Sequence, residues 1–330
     1  MARAWHLKSR PQGLPTNENF ELKDFDLPGL SDGMVRVRNH WLSVDPYMRG
    51  RMNDVKSYVP PFQVGEPMDG GAVGEVVESQ AEGFAPGDLV LHMSGWRDEA
   101  VVPARLVMKL PDLGAEPQQF LGILGTTGAT AWFGLLDVAS AKEKDIVFVS
   151  AAAGAVGSAV VQIAKARGMT VIASAGGAEK CAWVRSLGAD RVIDYKAGPV
   201  LKSLAAAAPD GIDVYFDNVG GDILEACLPL MNNYGRIACC GAISQYDGVP
   251  SAHGPRGVPG LIVVKRLVMQ GFIVMDFMAQ RDKALADLQA WTSSGKLKVQ
   301  EDVIDGLENT PKALIGLLAG DNRGKRMIKV

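Results

Sequence analysis

The chain reads as an α/β protein, a doubly wound parallel sheet joined to a mostly antiparallel, barrel-like domain. Three observations predict this. From Lys144 to Gly168, KDIVFVSAAAGAVGSAVVQIAKARG passes from an apolar run, Ile146 to Val149 closed by Ser150, through a small-residue turn into apolar positions at Val156, Val160, Ile163 and Ala164. That is a buried strand, a tight turn and a helix. Four further strand-plus-helix units follow, as a doubly wound sheet requires. Before it, residues 1 to about 120 alternate short apolar runs with Pro-Gly punctuation, as at Pro28-Gly29 and Pro86-Gly87, the pattern of antiparallel strands and turns.

Composition bounds the function classes. A length of 330 residues accommodates two domains, and 47% hydrophobic with 22% charged residues supports a sizeable core. The net charge of −3 and the lack of a basic stripe argue against nucleic acid or a membrane surface as the main partner. Ile146 to Ala164 is uncharged and nearly long enough to span a bilayer, but its glycines, serines and glutamine and its change of period mark it as soluble. Cys181, Cys227, Cys239 and Cys240 form no C-x-x-C pair, so neither disulfide staples nor a four-cysteine zinc lobe is expected, which suits the cytoplasm. MARAWHLKSRPQG has no apolar core of a secretory leader, and none is expected.

Each element follows from its own pattern. Met34 to Arg38 alternates as a strand, and Gly70 to Glu78 and Asp88 to His92 read likewise. Pro117 to Leu136 turns helical and joins the two domains, divided here as 1–120, 121–295 and a returning tail, 296–330. After the first unit come strand Thr170 to Ser174 with helix Ala178 to Leu187, strand Arg191 to Asp194 with a helix near Val200 to Ala206, and strand Ile212 to Asp217 with helix Asp222 to Met231. Strand Gly235 to Cys240, a helix near Val258 to Leu267, strand Val268 to Val274 and a helix from Phe277 to about Ser293 complete the series. The tail carries a strand-like piece, a helix from Thr310 to Leu318 with Pro311 in its first turn, and a last strand, Arg326 to Val330.

The turn after the first strand of this series spells A-x-G-x-x-G at Ala152, Gly154 and Gly157. This is a variant of the dinucleotide fingerprint, whose glycines allow close backbone approach and whose helix N-terminus offers free N–H groups to a pyrophosphate. The next strand ends in Ser174-Ala175-Gly176-Gly177-Ala178-Glu179-Lys180, with no carboxylate at its tip to bind a ribose 2′-hydroxyl. Room is therefore left for a 2′-phosphate, with Lys180 as its cation and Tyr195 packing on it or bonding it, which points to NADP(H) rather than NAD. Two alternatives stand beside this: Glu179 as the ribose acid, and Lys180 and Tyr195 as ordinary surface residues.

Five stretches resemble one family. LSVDPYMRGRM (Leu42 to Met52), YFDNVGG (Tyr215 to Gly221), CGAISQY (Cys240 to Tyr246), QGFIVMDF (Gln270 to Phe277) and NRGK (Asn322 to Lys325) are similar to the signatures of the zinc-free medium-chain dehydrogenase/reductases that include prostaglandin, alkenal double-bond and curcumin reductases. The resemblance spans essentially the whole chain. It implies a GroES-like barrel plus a Rossmann domain, NADP(H), and reduction of a carbon–carbon double bond conjugated to an aldehyde or ketone. It also implies a homodimer joined through the Rossmann domains. Matched by motif, the cofactor contacts are Gly154, Ala155, Val156, Gly157 and Ser158 at the pyrophosphate and Lys180 and Tyr195 at the 2′-phosphate. The remaining contacts are Asn218, Cys240, Gly241, Ala242, Ile243, Ser244, Gln245, Phe272, Ile273, Val274 and Asn322. GTTGATAW at Gly125 to Trp132 is only similar to the usual motif.

The residues restrict the chemistry. Zinc-dependent relatives carry a ligand cysteine where this chain has Val44-Asp45, and a Gly-His-Glu motif where it has Gly65-Glu66-Pro67; the four histidines are His6, His40, His92 and His253. No metal site is expected. Conjugate reduction needs less than a Lewis acid, since hydride adds to the β-carbon and the enolate oxygen needs a hydrogen-bond donor. Tyr246, after the strand Gly235 to Cys240, is the first candidate donor, with covering the cofactor as its alternative role; Tyr47 is the second, with packing as its alternative. The cofactor's ribose hydroxyl and water are further proton sources. Asp45 and Arg49 are read as a local ion pair without catalytic role, the loop Tyr246 to Pro259 as a lid or a plain connection, and Met275, Phe277 and Met278 as pocket lining or core. Quinone reduction, oxidation of a lipid alcohol, and NADPH binding without turnover are the competing functions.

Overall fold

The computed structural model describes residues 1–246 and 254–330. It opens with β1 (Ala2–Leu7) antiparallel to β2 (Phe20–Phe25). Next come β3 (Met34–Ser43), a short helix α1 (Tyr47–Arg51), β4 (Ala72–Ser79), β5 (Leu89–His92), β6 (Glu99–Pro103) and β7 (Met108–Lys109). β3 pairs antiparallel with β4 and β6, and β5 with β4 and β7. Alternation decides the faces, for Val35 and Val37 are fully buried while Arg38 between strands is exposed. α2 (Thr126–Trp132) then leads to the second sheet.

That sheet is built from β8 (Ile146–Val149), β9 (Thr170–Ala175), β10 (Arg191–Asp194), β11 (Ile212–Asp217), β12 (Met231–Cys239) and β13 (Val268–Gly271). Between them run α3 (Ala155–Ala166), α4 (Ala178–Ser186), α5 (Val200–Ala207), α6 (Gly221–Cys227) and α7 (Val258–Lys265), and α8 (Arg281–Ser293) follows. Among the described residues the six strands lie in the order β10-β9-β8-β11-β12-β13, all parallel. β8 is apolar throughout because both of its faces are covered, and α3 buries every residue from Gly157 to Ala164 against the sheet. A side chain at Gly157 would bring its Cβ within 2.4 Å of the Ala151 carbonyl oxygen, so glycine is what lets helix and strand meet so closely. The tail forms β14 (Glu301–Asp305), α9 (Thr310–Leu318) and β15 (Lys325–Lys329). β15 pairs antiparallel with β3, Met327 opposite Ser43, which carries the tail back to the first sheet.

Several elements differ from the sequence reading. Pro117 to Leu136 is a short 3₁₀ turn at Pro117–Leu121, then α2, then a π-helical stretch at Phe133–Val138, because Gly122 departs from helical angles and interrupts the run. The helix read to Met231 ends at Cys227, since Pro229 has no N–H to continue it, and Met231 already belongs to β12. β13 stops at Gly271 opposite Cys239, where its neighbour β12 ends. Val274–Gln280 is a 3₁₀ helix, so α8 begins at Arg281 rather than at Phe277. His253 and the middle of the expected lid lie outside the described residues.

Candidate active site

The strand order sets where a ligand binds. The chain leaves β8 toward β9 on one side, while β11 flanks β8 on the other, so a crevice opens at the carboxyl ends of β8 and β11. The expected cofactor contacts other than Asn322 fall in the segments that follow these strand ends: Gly154 to Ser158 after β8, Lys180 after β9, Tyr195 after β10, Asn218 after β11, Cys240 to Gln245 after β12 and Phe272 to Val274 after β13. Asn322 joins them from the tail. It is buried, and its Nδ2 donates to the Gly324 carbonyl at 3.0 Å.

Around the crevice the loops are laced together. Asn218 donates from its backbone N–H to Ser150 Oγ at 2.9 Å and from Nδ2 to the Ser150 carbonyl at 2.8 Å. The buried Asp217 carboxylate accepts from the Tyr215 hydroxyl at 2.6 Å and from the N–H groups of Val219 and Gly220 at 2.9 and 2.8 Å. Backbone N–H groups of Cys240 and Gly241 donate to the Asp217 carbonyl at 2.8 and 3.1 Å, and Ile243 N–H to the Asn218 carbonyl at 3.2 Å. Ser244 Oγ donates to the Val219 carbonyl at 2.6 Å, so the CGAISQ segment is held against the turn after β11. Burial, then Asp217, pushes the Cys239 and Cys240 thiols up to about 11 and about 12. Both thiols are therefore held in the protonated form at neutral pH, which disfavours a nucleophilic role.

Tyr246 closes this segment and is half-buried. Its hydroxyl accepts from the Ala242 N–H at 3.5 Å, a weak contact and its one hydrogen bond among the described residues. Burial raises its pKa above the usual tyrosine value, which keeps the phenol protonated and able to donate. A Cβ at Gly241 would lie 3.4 Å from that hydroxyl, so the glycine leaves space beside it. Tyr47, the first residue of α1, is also half-buried, and burial followed by the Asp45 charge raises its pKa. Sequence reasoning missed Tyr58. Its pKa is raised by burial and then by Tyr246, although its side chain is largely exposed. No local motif marks it, because Tyr246, which affects it, is distant in sequence.

At the other end of the crevice, Lys180 donates from Nζ to the Gly320 carbonyl, and burial followed by Lys196 lowers its pKa. A Cβ at Gly176 would fall 2.7 Å from the Tyr195 hydroxyl and 3.0 Å from Lys196 Cε, so both side chains lie over the glycine. Lys196 is the second residue that sequence reasoning missed; its position directly after Tyr195 was the available signal. Glu179 is 88% exposed at its side chain and pairs with Arg323 at 3.4 Å. The expected ion pair of Asp45 with Arg49 is replaced by one with Lys325 at 2.5 Å, because the tail strand delivers an ammonium to the carboxylate; Arg49 donates to the Gly13 carbonyl and to Asn53. Phe277 stacks on Phe133 at 5.0 Å and Met275 is 63% exposed; Met278 borders a cavity of about 40 Å³ with Phe120, Leu124 and Arg281.

With this geometry in hand, the chain matches two family models, the N-terminal domain of oxidoreductase over residues 3–110 and zinc-binding dehydrogenase over residues 155–290. It is 43% identical to NADPH-dependent curcumin reductase of Escherichia coli, over 99% of this chain and 96% of that one. It is 44% identical to prostaglandin reductase 1 of Bos taurus, over 99% of each. The structure of CurA from Vibrio vulnificus in complex with NADPH superposes with a TM-score of 0.95 at 42% identity, over 99% of each chain. The chain belongs to the medium-chain dehydrogenase/reductase family.

Two groups are associated with such reductases, and the residues treat them differently. A nicotinamide dinucleotide fits: the α3 N-terminus follows a glycine turn, the Lys196 side chain and the Tyr195 hydroxyl lie over Gly176, Lys180 stands near Lys196, and Ser174 Oγ near the tip of β9 is buried without a partner. The zinc in the name of the second family model does not fit. Among the described residues no three or more His, Cys, Asp or Glu side chains form a group able to hold a metal ion. No described helix is long and apolar enough to cross a membrane.

Proposed function

We propose that the chain is an NADPH-dependent reductase of carbon–carbon double bonds conjugated to an aldehyde or ketone. The observation that carries this is Tyr246, a protonated, weakly engaged hydroxyl that follows the carboxyl end of β12, in a crevice where, among the described residues, no three His, Cys, Asp or Glu side chains group to hold a metal ion. Bound NADPH supplies hydride to the β-carbon of the substrate. The free N–H groups of Ala155, Val156 and Gly157 and the N-terminal dipole of α3 hold the diphosphate. Lys180, Lys196 and the Tyr195 hydroxyl hold the 2′-phosphate, and Asn218, Cys240 to Gln245, Phe272 to Val274 and Asn322 frame the nicotinamide ribose and ring. Tyr246 donates to the carbonyl oxygen as negative charge develops there, with Tyr47 and Tyr58 shaping the same wall. A hydrogen bond that strengthens toward the transition state raises turnover rather than affinity.

The organisation follows: residues 1–120 and 296–330 form the substrate domain and 121–295 the cofactor domain. A homodimer through the parallel sheet is supported by β13, an edge strand beside exposed apolar residues, Val263 at 73%, Val264 at 67% and Tyr234 at 66%. The four free cysteines suit a cytoplasmic enzyme. The reading is tested by NADPH oxidation with benzylideneacetone, menadione and a long-chain alcohol with NADP⁺. Turnover of the enone alone supports it; turnover of the quinone or alcohol with an inert enone overturns it.

A further inference from the structure

One dipeptide of the tail touches both halves of the crevice. Gly324 N–H donates to the Ala153 carbonyl at 3.0 Å, in the middle of the glycine turn, and Gly154 and Gly324 form a parallel bridge. Gly324 has a φ of +75°, and a Cβ there would come within 2.4 Å of the Gln300 carbonyl oxygen, so the chain fits here only without a side chain. The next residue, Lys325, points into the other sheet. It is 4% exposed, and its Nζ donates to Ser43 Oγ at 2.7 Å, the Val44 carbonyl at 3.2 Å and Asp45 Oδ1 at 2.5 Å. Ser43 Oγ in turn donates to the other Asp45 oxygen. An ammonium has three protons, and here three acceptors take them, so Lys325 holds a place rather than reacting.

What it holds is the turn that starts α1. Met48 N–H donates to the Asp45 carbonyl at 3.1 Å, and Val44 N–H to the Arg326 carbonyl at 3.4 Å, so the position of Asp45 sets that of Tyr47 two residues on. Asp45 and Lys325 are 280 residues apart in sequence. The far end of the same tail segment, Gly320, accepts from Lys180. The segment from Gly320 to Lys325 therefore contacts both of the places where a dinucleotide would be gripped and the turn that carries a wall of the substrate crevice.

We infer that Lys325 is a positioning residue, a strut through which occupation of the glycine turn is transmitted to the Tyr47 turn, so that the substrate wall is ordered when the dinucleotide is bound. This rests on the dinucleotide occupying the turn after β8, as proposed above. A path of one hydrogen bond, one peptide unit and one ion pair, buried at Lys325 and partly buried at Asp45, links the two, and removing one member leaves the other charge uncompensated.

The test is hydrogen exchange on the parent and on Lys325→Met, each with and without saturating NADP⁺, together with steady-state kinetics on benzylideneacetone. In the parent, NADP⁺ slows amide exchange in both 151–158 and 44–52. In Lys325→Met it slows 151–158 alone, NADPH affinity stays within about threefold, and kcat falls by about 10- to 100-fold, the scale of a misplaced reacting group. Protection of 44–52 by NADP⁺ that survives in the variant, or is missing in the parent, overturns the strut. An absence of protection at 151–158 in the parent overturns the dinucleotide reading as well, and so marks a separate failure. Should Lys325→Met not fold, Asp45→Asn breaks the same charge pair from the other side at nearly constant shape and is read by the same two segments.

Discussion

Lys180→Ala tests the cofactor assignment, and the structure sets its size. The ammonium has its pKa lowered by burial and then by Lys196, whose side chain lies over Gly176, so the two cations act on one another. A charge-assisted contact to phosphate contributes about 1.5–3 kcal/mol. Because Lys196 remains, Lys180→Ala takes the lower end, about 1.5 kcal/mol or tenfold in NADPH Kd, and so does Lys196→Ala. The double variant loses roughly twice that, about a hundredfold, if the two act on the same phosphate without compensating. NADH lacks the 2′-phosphate, and its Kd should move by less than about twofold. Fluorescence titration of both cofactors against all three variants reads this directly. Lys180 also donates to the Gly320 carbonyl, which gives the result its edge. Equal losses for NADPH and NADH would show that the lysine only anchors the tail, and would refute the phosphate assignment.

Tyr246→Phe should lower kcat by about 10²–10³, the usual cost of one oxyanion donor, with NADPH Kd nearly unchanged; turnover within about twofold of the parent rejects it as the donor. His92 sets an acid limb to stability. Asn39 Nδ2 already donates to the Ser94 and Arg97 carbonyls, so Asn39 Oδ1 accepts from His92 Nε2 at 2.9 Å while Nδ1 accepts from Ser94 N–H, and burial holds its pKa down at about 4 against 6.5. Between those values the unfolded chain binds a proton that the folded chain does not, so stability falls as pH drops, by about 2 kcal/mol at pH 5 relative to neutrality. Urea unfolding at the two pH values reads it, and an unchanged midpoint contradicts it. Dialysis against a strong chelator should leave enone turnover unchanged, whereas a loss that zinc restores would revive a metal-dependent reading.

The parallel sheet was legible because its signals are local. Ile146 to Val149 is an apolar run, Arg191 to Asp194 and Ile212 to Asp217 hold β-branched or aromatic residues among their charges, and the strands occupy those same residues. Thr310 to Leu318 was legible for a similar reason, with Pro311 marking the helix start. Boundaries failed where a single residue outweighs the periodic pattern, as Pro229 does in ending α6 before Met231. The crevice was partly legible: CGAISQY follows the end of β12, and NRGK, in the tail, meets the turn after β8 at the Gly154–Gly324 bridge. Tyr58, Lys196 and the pairing of Lys325 with Asp45 were not, since each depends on a contact between segments distant in sequence or on loop packing that no periodicity records. Asp45 shows the difference plainly, for its near neighbour Arg49 was the obvious partner and the tail supplied the real one.

The central claim is that hydride goes to the carbon–carbon double bond. NADPH carrying deuterium in the transferred C4 position, incubated with benzylideneacetone and the enzyme, should give the saturated ketone with the label on the β-carbon and none at the carbonyl carbon, as read by NMR. Deuterium on the carbonyl carbon of an allylic alcohol would contradict the account and assign the crevice to carbonyl reduction instead.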